Sequence, residues 1–199
     1  MDLLDRYPIV SDQVDRGELR VILRELRRVL EKEVQGDVVE LGCYVGTTSL
    51  FLQRMLRNTS KQLHVYDSFA GLPPKVATDV SPVGEQFKQG ELTASKAQLI
   101  KYFKQAGLPL PVIHKAWFEQ LTLADTPDHI SFAFLDGDFY TSILASLAVV
   151  WPKLAPGAIV VIDDYQTEAL PGVRQAIKEW SNDHSFTLRN EASLAIITR

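Results

Sequence analysis

Short apolar runs alternate along the chain with segments in which apolar residues recur at helical spacing. Apolar runs bounded by glycine, proline or acidic residues are typical of buried strands. These runs predict core strands at Asp37–Leu41, Gln62–Tyr66, Leu110–His114, Phe132–Leu135 and Ala158–Ile162. Two later runs, Phe186–Leu188 and Leu194–Thr198, predict a closing hairpin. Its turn is expected at Asn190 and Glu191.

Helical segments fall between these strands. The first covers Ser11–Glu33, and its apolar stripe consists of Leu19, Ile22, Leu23, Leu26 and Leu30. Ser11 or Asp12 is expected to cap this helix. Further helices are predicted from Thr47, from Thr93 or Ser95 to Gln105, over Phe139–Leu154, and from Pro171. Strands that alternate with helices predict an α/β three-layer sandwich with a mostly parallel sheet.

The pattern also divides the chain. Residues 1–34 are expected to form an N-terminal arm and helix packed on the domain, with 1–10 as a loose arm. Residues 35–199 are expected to form the domain itself. Within it, residues 68–91 are rich in proline and glycine and have no clear period, so they predict a long surface loop. Loops of that length are uncommon in compact domains and are often functional.

The composition narrows the possible functions. With 21 basic and 25 acidic residues, the formal charge is -4, which provides no basic footprint for nucleic acid. A single cysteine, Cys43, excludes an internal disulfide and suits a reducing compartment. The chain has neither a signal-peptide pattern nor an apolar stretch of about 18 residues. We therefore expect a cytoplasmic protein with no nucleic-acid or membrane partner.

Acidic residues follow two neighbouring strands of the predicted sheet. Asp136 ends the fourth run, and Asp163 and Asp164 end the fifth. In parallel neighbours these carboxylates meet at the carboxyl edge of the sheet, where open α/β folds bind ligands. Converging carboxylates repel one another unless a cation joins them, and oxygen ligands favour a hard ion such as Mg2+. The sequence therefore predicts a divalent metal site at Asp136, Asp163 and Asp164.

Structural alternatives stand beside this metal site. Asp138 is expected to cap the helix that starts at Phe139, with support of the site as its alternative role. Asp164 alternatively bonds the backbone of its own loop. The metal hypothesis therefore depends on which carboxylates the fold brings together.

A glycine turn, Glu40-Leu-Gly42-Cys-Tyr44-Val-Gly46, follows the first strand. It is not the dinucleotide pattern, because Tyr44 stands where a second glycine would let a pyrophosphate approach. Backbone N–H groups at the start of the next helix suit a carboxylate, and Asp67 is placed to accept hydrogen bonds from ribose hydroxyls. The turn and Asp67 together predict a nucleoside with a small charged tail, which S-adenosylmethionine fits. The alternative is a purely structural turn that Glu40 caps.

Several segments carry a family resemblance: VVELGCYVGTTS, YDSFAGLP, HKAWFEQL, FLDGDFYTS, LAPGAIVVIDDY and LPGVRQAI. In this order they resemble class I S-adenosylmethionine-dependent methyltransferases. More narrowly, they resemble the macrocin O-methyltransferase family, which methylates sugar hydroxyls of macrolides and related natural products. The resemblance spans about residues 37 to 183. It implies a Rossmann-like, seven-stranded, mostly parallel sheet with an antiparallel last strand.

The resemblance also implies roles for individual residues. The residues implied in cofactor binding are Glu40, Gly42, Tyr44, Gly46, Thr48, Asp67, Ser68, Trp117, Phe118 and Asp136. Among them, Glu40 and Asp67 would hold the polar end and the ribose. Trp117 and Phe118 would flank the adenine, with core packing as the alternative. Asp136, Asp163 and Asp164 would bind the metal, and either Asp136 or a metal-bound hydroxide would act as the base.

The implied function is a metal-assisted O-methyltransferase acting on a hydroxyl of a sugar-containing or other vicinal-diol small molecule. One alternative is a catechol or phenolic type, whose first loop shows a looser resemblance to the glycine turn. A catechol-style lysine base is not expected, because Phe139 stands three residues after Asp136. The other alternative is a non-catalytic module that binds S-adenosylmethionine. The family also suggests a homodimer.

Overall fold

A seven-stranded sheet forms the centre of the computed structural model, which describes residues 3–199. Its strands are β1 (Asp37–Leu41), β2 (Leu63–Asp67), β3 (Val112–Lys115), β4 (Ile130–Leu135), β5 (Leu154–Ile162), β6 (Thr187–Glu191) and β7 (Leu194–Thr198). Their order across the sheet is β3-β2-β1-β4-β5-β7-β6. Strand β7 is antiparallel to both of its neighbours, whereas the other pairs are parallel. The predicted fold, including the antiparallel last strand, is confirmed.

Helices cover both faces of this sheet. They are α1 (Leu3–Arg6), α2 (Arg16–Glu31), α3 (Thr47–Leu56), α4 (Lys96–Gln105), α5 (Tyr140–Val150) and α6 (Pro171–Asp183). Helices α2, α3 and α4 pack on one face, and α5 and α6 pack on the other. Successive strand residues point to opposite faces, so Phe134 enters the first core and Leu135 the second. Both faces are therefore buried, which explains the nearly continuous apolar strands.

Helix α2 begins at Arg16, later than the predicted start at Ser11. Asp15 is its N-cap, and the Asp15 carboxylate accepts hydrogen bonds from the N–H groups of Gly17 and Glu18 at 2.5 and 3.1 Å. The Glu18 carboxylate in turn accepts from the Asp15 N–H at 3.0 Å. This reciprocal capping box fixes the start of the helix. The expected cap at Ser11 or Asp12 is wrong, and Ser11 instead bonds the Thr47 hydroxyl at 2.9 Å.

The described part of the arm, residues 3–10, packs on the domain. Leu4 is buried, and Tyr7 and Ile9 lie against the core that α2 and α3 build. The Arg54 guanidinium lies 3.9 Å from the centre of the Tyr7 ring, a favourable cation–π distance. The expectation of a loose arm is therefore wrong for these residues, and residues 1 and 2 lie outside the described part.

Other differences concern element boundaries. Helix α5 ends at Val150 and a short 3-10 turn leads into β5, which starts at Leu154 because this segment already pairs with β4. Asn190 and Glu191 belong to β6, where they pair with β7, so the hairpin turn lies at Ala192 and Ser193. No helix in residues 3–199 is long and apolar enough to cross a membrane.

Candidate functional site

A cleft with a volume of about 150 Å3, partly open to solvent, lies at the carboxyl edge of the sheet. Among the residues predicted for the site, those that line it are Gly42, Tyr44, Asp67, Ser68, Trp117, Phe118, Asp136 and Asp164. A second cavity, of only about 20 Å3, is lined by residues that include Glu40 and Thr48. Gln13, Gly42, Tyr44 and Asp136 line both cavities and so connect them.

The glycine turn brings β1 close to the acidic turn after β4. Gly42 has φ +94°, and a Cβ atom there would lie 1.8 Å from the Asp136 carbonyl oxygen. Gly46 has φ +93° and precedes α3, where a Cβ would lie 2.3 Å from the Leu99 side chain. Only glycine meets both requirements, a left-handed backbone and close packing. Gly46 therefore shapes the turn but is not among the described residues that line either cavity.

Asp67 ties the end of β2 to this turn. Its Oδ2 accepts hydrogen bonds from the N–H groups of Cys43 and Tyr44, both at 3.0 Å. Its Oδ1 accepts from the Phe69 N–H at 2.7 Å. Asp67 therefore orders the backbone of the turn while its carboxylate borders the cleft.

Glu40 is buried below the turn, with 1% of its surface exposed. The Ser49 hydroxyl, in the first turn of α3, donates to Glu40 Oε2 at 2.5 Å. Burial raises the pKa of Glu40 to about 8, and the Ser49 hydrogen bond only partly offsets this. Glu40 therefore links β1 to α3, whereas the N-cap of α3 is Gly46 and no side chain caps this helix, so capping by Glu40 is not observed. Its carboxyl also borders the smaller cavity.

Replacing Glu40 with glutamine is expected to change how stability depends on pH. Because the pKa of about 8 lies above the ordinary value of 4.5, the folded protein holds a proton that the unfolded chain has released. The associated stability is present below about pH 4.5 and is lost as the pH rises through about 8. The glutamine still accepts from Ser49 but cannot ionise. In urea unfolding, Glu40→Gln should gain more than about 1 kcal/mol over wild type at alkaline pH, and little at acidic pH.

The matched control for this prediction is Glu31→Gln, because Glu31 is exposed at the end of α2. Its effect on the free energy of unfolding should be small at both pH values, because the side chain lies in water. A Glu40→Gln difference that does not grow with pH would contradict the assignment of a neutral buried carboxyl.

Three carboxylates converge at the cleft. Oxygen atoms of Asp136, Asp138 and Asp164 all lie within 4.8 Å of one another. Asp163 is buried beside them and accepts from the Asp164 N–H at 2.8 Å and from the Ser193 hydroxyl at 3.3 Å. The structure therefore brings Asp136 and Asp164 together as predicted, with Asp138 rather than Asp163 in the group.

Asp138 does not cap the helix. Phe139 is the N-cap residue of α5 and makes no side-chain capping bond. Asp138 precedes this N-cap residue and has a left-handed backbone, with φ +59°. The expected capping role is wrong, and Asp138 lines the cleft instead.

The environment of these carboxylates disfavours their charged forms. Burial raises the pKa of Asp136 well above its usual range, and Asp163 and Asp138 raise it further. Burial, followed by Asp164, raises the pKa of Asp138 to about 8. Burial also raises the pKa of Asp164, and a hydrogen bond from Thr167 partly opposes this. Protons or a cation must balance such a group, and its oxygen-only donor set fits a hard divalent ion.

Left-handed backbone is concentrated around the cleft. Tyr44, Phe69, Asp138 and Asp164 all have φ between +46° and +59°. This conformation is uncommon for residues other than glycine, and such strain is typical of functional sites. The strained positions lie in or beside the glycine turn, the β2 end and both acidic turns.

Further residues that line the cleft were not predicted individually, namely Gln13, Gly71, Leu72, Pro73, Phe87, Leu92, Ala116, Gly137 and Ser142. Several of them belong to the long loop after β2, whose unusual length was the available signal. Asp138 also lines the cleft, which agrees with the alternative role predicted for it. Phe118 lines the cleft and also packs against the core on the α5 side, so both of its expected roles are compatible with its position.

The family profile of the macrocin O-methyltransferases (TylF) matches residues 7–191. The chain belongs to the macrocin O-methyltransferase family. The match includes the glycine turn, the long loop after β2 and both acidic turns, so the whole cleft lies within the shared region of this family.

Two curated relatives are similar to the chain. One is the 8-demethyl-8-(2,3-dimethoxy-alpha-L-rhamnosyl)-tetracenomycin-C 4'-O-methyltransferase of Streptomyces olivaceus, 31% identical over 168 residues that cover 80% of this chain and 63% of the relative. The other is the mycinamicin III 3''-O-methyltransferase of Micromonospora griseorubida, 27% identical over 194 residues that cover 91% and 74%. The chain thus spans less than two thirds of the first relative.

The solved structure of the O-methyltransferase NovP is also similar to the structure of this chain. It superposes with a TM-score of 0.79 at 24% sequence identity, covering 92% of this chain and 79% of NovP. At this level of identity the likeness supports the fold. It agrees with the sheet order and the antiparallel β7 described above.

Proposed function

We propose that the protein transfers a methyl group from S-adenosylmethionine to a hydroxyl of a sugar carried by a small-molecule acceptor, with the help of a divalent cation. The observation that carries this proposal is the convergence of Asp136, Asp138 and Asp164 beside a cleft bordered by the glycine turn and Asp67. Family membership supports the same chemistry. The names of both curated relatives describe O-methylation, one of them of a rhamnosyl compound.

The residues present fit S-adenosylmethionine, whose sulfonium supplies the methyl group when it is bound. Asp67 borders the cleft with a carboxylate that suits ribose hydroxyls. Tyr44 and Gly42 connect the large cleft to the smaller cavity, which suits the charged methionine end. Trp117 and Phe118 offer apolar surfaces for the adenine. These assignments are proposals that binding measurements can test.

A divalent cation, when bound, would lower the pKa of an acceptor hydroxyl. Asp136 and Asp164 are the proposed protein ligands. The third ligand is either Asp138 or Asp163. Asp138 is supported by its carboxylate oxygen, which lies within 4.8 Å of those of Asp136 and Asp164, whereas Asp163 is the ligand that the sequence pattern predicts. Loss of Mg2+ binding in Asp138→Asn but not in Asp163→Asn, or the reverse, identifies this ligand.

Asp136 is also the proposed base. It lines both cavities, so it lies between the proposed cofactor site and the acidic group. A carboxylate that lies within reach of the acceptor hydroxyl can take its proton during methyl transfer. Positioning of the hydroxyl in line with the methyl group would supply much of the remaining rate enhancement.

A panel of acceptors tests the function. Rhamnosyl and other deoxysugar glycosides, simple phenols and catechols are incubated with the protein, S-adenosylmethionine and Mg2+, and products are analysed by mass spectrometry. We expect a single added methyl group on a glycoside. Methylation of phenols alone would favour the phenolic type, for which Phe87 in the cleft wall provides an apolar surface. Cofactor binding with no transfer would favour the non-catalytic module.

A homodimer remains a prediction.

Replacing Trp117 with alanine is expected to weaken S-adenosylhomocysteine binding about tenfold or more, because stacking of a base on an aromatic side chain contributes about 1–3 kcal/mol. Titration calorimetry measures this change. Leu123→Ala is the control, since Leu123 is an exposed apolar residue a few positions further along the chain. An unchanged affinity in Trp117→Ala would contradict the proposed adenine contact.

A further inference from the structure

The long loop after β2 forms one wall of the cleft. We call residues 68–94 the cleft loop, and its lining residues are Ser68, Gly71, Leu72, Pro73, Phe87 and Leu92. Its base is closed by backbone hydrogen bonds, from Leu72 N–H to Glu91 oxygen at 2.9 Å and from Gly90 N–H to Leu72 oxygen at 3.0 Å. The part beyond this base carries Phe87, which packs against the core on the α5 side, and a buried side-chain contact adds a further anchor.

Asp79 provides that anchor. It is 1% exposed, although it lies in an otherwise largely exposed part of the cleft loop. Its Oδ1 accepts from the Tyr140 N–H at 2.7 Å, and its Oδ2 accepts from the Val76 N–H at 3.1 Å. One carboxylate therefore binds both the cleft loop and the first residue of α5.

Asp79 contacts the start of α5, which follows the acidic turn that contains Asp138. Tyr140 comes two residues after Asp138, and the N-cap residue Phe139 makes no side-chain capping bond. Asp79 thus satisfies an N–H group at the start of α5 from a distant part of the chain. Its charge also suits the positive end of the helix dipole. The same contact steadies the backbone that presents Asp136 and Asp138.

A second helix start makes room for this carboxylate. Gly172 is the second residue of α6, and a Cβ atom there would lie 1.9 Å from Asp79 Oδ1 and 2.9 Å from the Tyr140 nitrogen. The starts of α5 and α6 therefore close around Asp79. Close by, the Ser81 hydroxyl donates to the Glu168 oxygen at 3.1 Å and adds a second link to the segment before α6.

We propose that Asp79 is a positioning residue that holds the cleft loop against the start of α5, so that the loop wall and the acidic turn keep their relative geometry during methyl transfer. This inference rests on the proposed function for its link to catalysis. The anchoring itself follows from the contacts of Asp79 alone.

The experiment compares Asp79→Ala and Asp79→Asn with a matched control, Asp125→Ala. Asp125 also ends a 3-10 turn and accepts from a backbone N–H three residues before it, that of Thr122, but it is exposed at its own site and does not reach α5. Trypsin cleavage after Lys75 and Lys88 reports loop anchoring without any need for activity. Circular dichroism reports the folded fraction, and methyl transfer to the acceptor found by screening reports positioning.

We expect Asp79→Ala to lose about 10- to 100-fold in kcat/KM, as for other supporting contacts of active-site groups, and to be cleaved faster within the cleft loop. Asp79→Asn keeps an acceptor for Tyr140 and should recover much of the activity, whereas Asp125→Ala should behave as wild type. Gly172→Ala, which crowds Asp79 Oδ1 without removing the carboxylate, should also speed cleavage. In the Asp79→Ala background, Gly172→Ala should increase the rate of loop cleavage less than it does in wild type.

The inference is overturned if Asp79→Ala is as active and as resistant to trypsin as Asp125→Ala. It is also overturned if the activity of Asp79→Ala falls only with its folded fraction and asparagine gives no rescue. If wild type itself transfers no methyl group, the proposed function fails. Unchanged loop cleavage in both Asp79→Ala and Gly172→Ala would then separately reject the anchoring.

Discussion

Replacing Asp136 with asparagine is expected to lower kcat for methyl transfer about 10²- to 10⁴-fold, the usual contribution of a positioned general base. Asparagine has nearly the shape of aspartate, so the turn after β4 should persist. The change removes a proton acceptor and a cation ligand from the group that contains Asp138 and Asp164. Single-turnover measurements at saturating cofactor isolate this effect, because Asp136 also borders the cofactor cavities.

The control for Asp136→Asn is Asp183→Asn, since Asp183 is exposed at the end of α6 and far along the chain from the acidic turns. Both variants should keep the wild-type circular dichroism spectrum. If Asp136→Asn transfers methyl groups as fast as Asp183→Asn, Asp136 is neither the base nor an essential ligand.

Replacing Gly42 with alanine is expected to lower the free energy of unfolding by about 2–5 kcal/mol and to abolish measurable cofactor binding. The backbone at Gly42 has φ +94°, and the new Cβ would lie 1.8 Å from the Asp136 carbonyl oxygen. The left-handed conformation alone costs about 1–2 kcal/mol for alanine, and forced displacement of packed atoms adds about 1–3 kcal/mol. Because the atom displaced belongs to the Asp136 backbone, the same change disturbs the acidic turn.

Gly107→Ala separates these two costs. Gly107 has φ +63° and nothing within 4 Å of its added Cβ, so only the backbone cost of about 1–2 kcal/mol applies. Urea unfolding measures both variants. Equal destabilisation by the two substitutions would contradict the close approach of the glycine turn to the acidic turn.

The parts of the site that come from local sequence were predictable. The bounds of β1 were predicted without error, because an apolar run that ends in Glu40-Leu-Gly42 leaves little choice of structure. The approach of Asp136 to Asp164 follows from parallel pairing of β4 with β5, which aligns the ends of the two strands. Strand order and acidic ends together explain why the cleft was expected at this edge.

The remaining features depend on contacts between distant segments or on a choice among nearby residues. Asp15 rather than Ser11 caps α2, because the position of Glu18 completes a capping box there. In sequence Asp138 resembles a helix cap. In the structure it has a left-handed backbone, and its carboxylate belongs to the acidic group with Asp136 and Asp164. The contact of Asp79 with Tyr140 joins residues 61 positions apart, and no local pattern announces it.

The most direct test of the account is titration calorimetry of S-adenosylhomocysteine and of Mg2+ with wild type and with Asp164→Asn, using Asp183→Asn as the control. Wild type and control are expected to bind S-adenosylhomocysteine and to give heat with Mg2+, whereas Asp164→Asn should retain cofactor binding and lose the Mg2+ heat. Cofactor binding without any Mg2+ heat in wild type would contradict the metal site. Absence of S-adenosylhomocysteine binding by wild type would contradict the proposed methyl transfer itself.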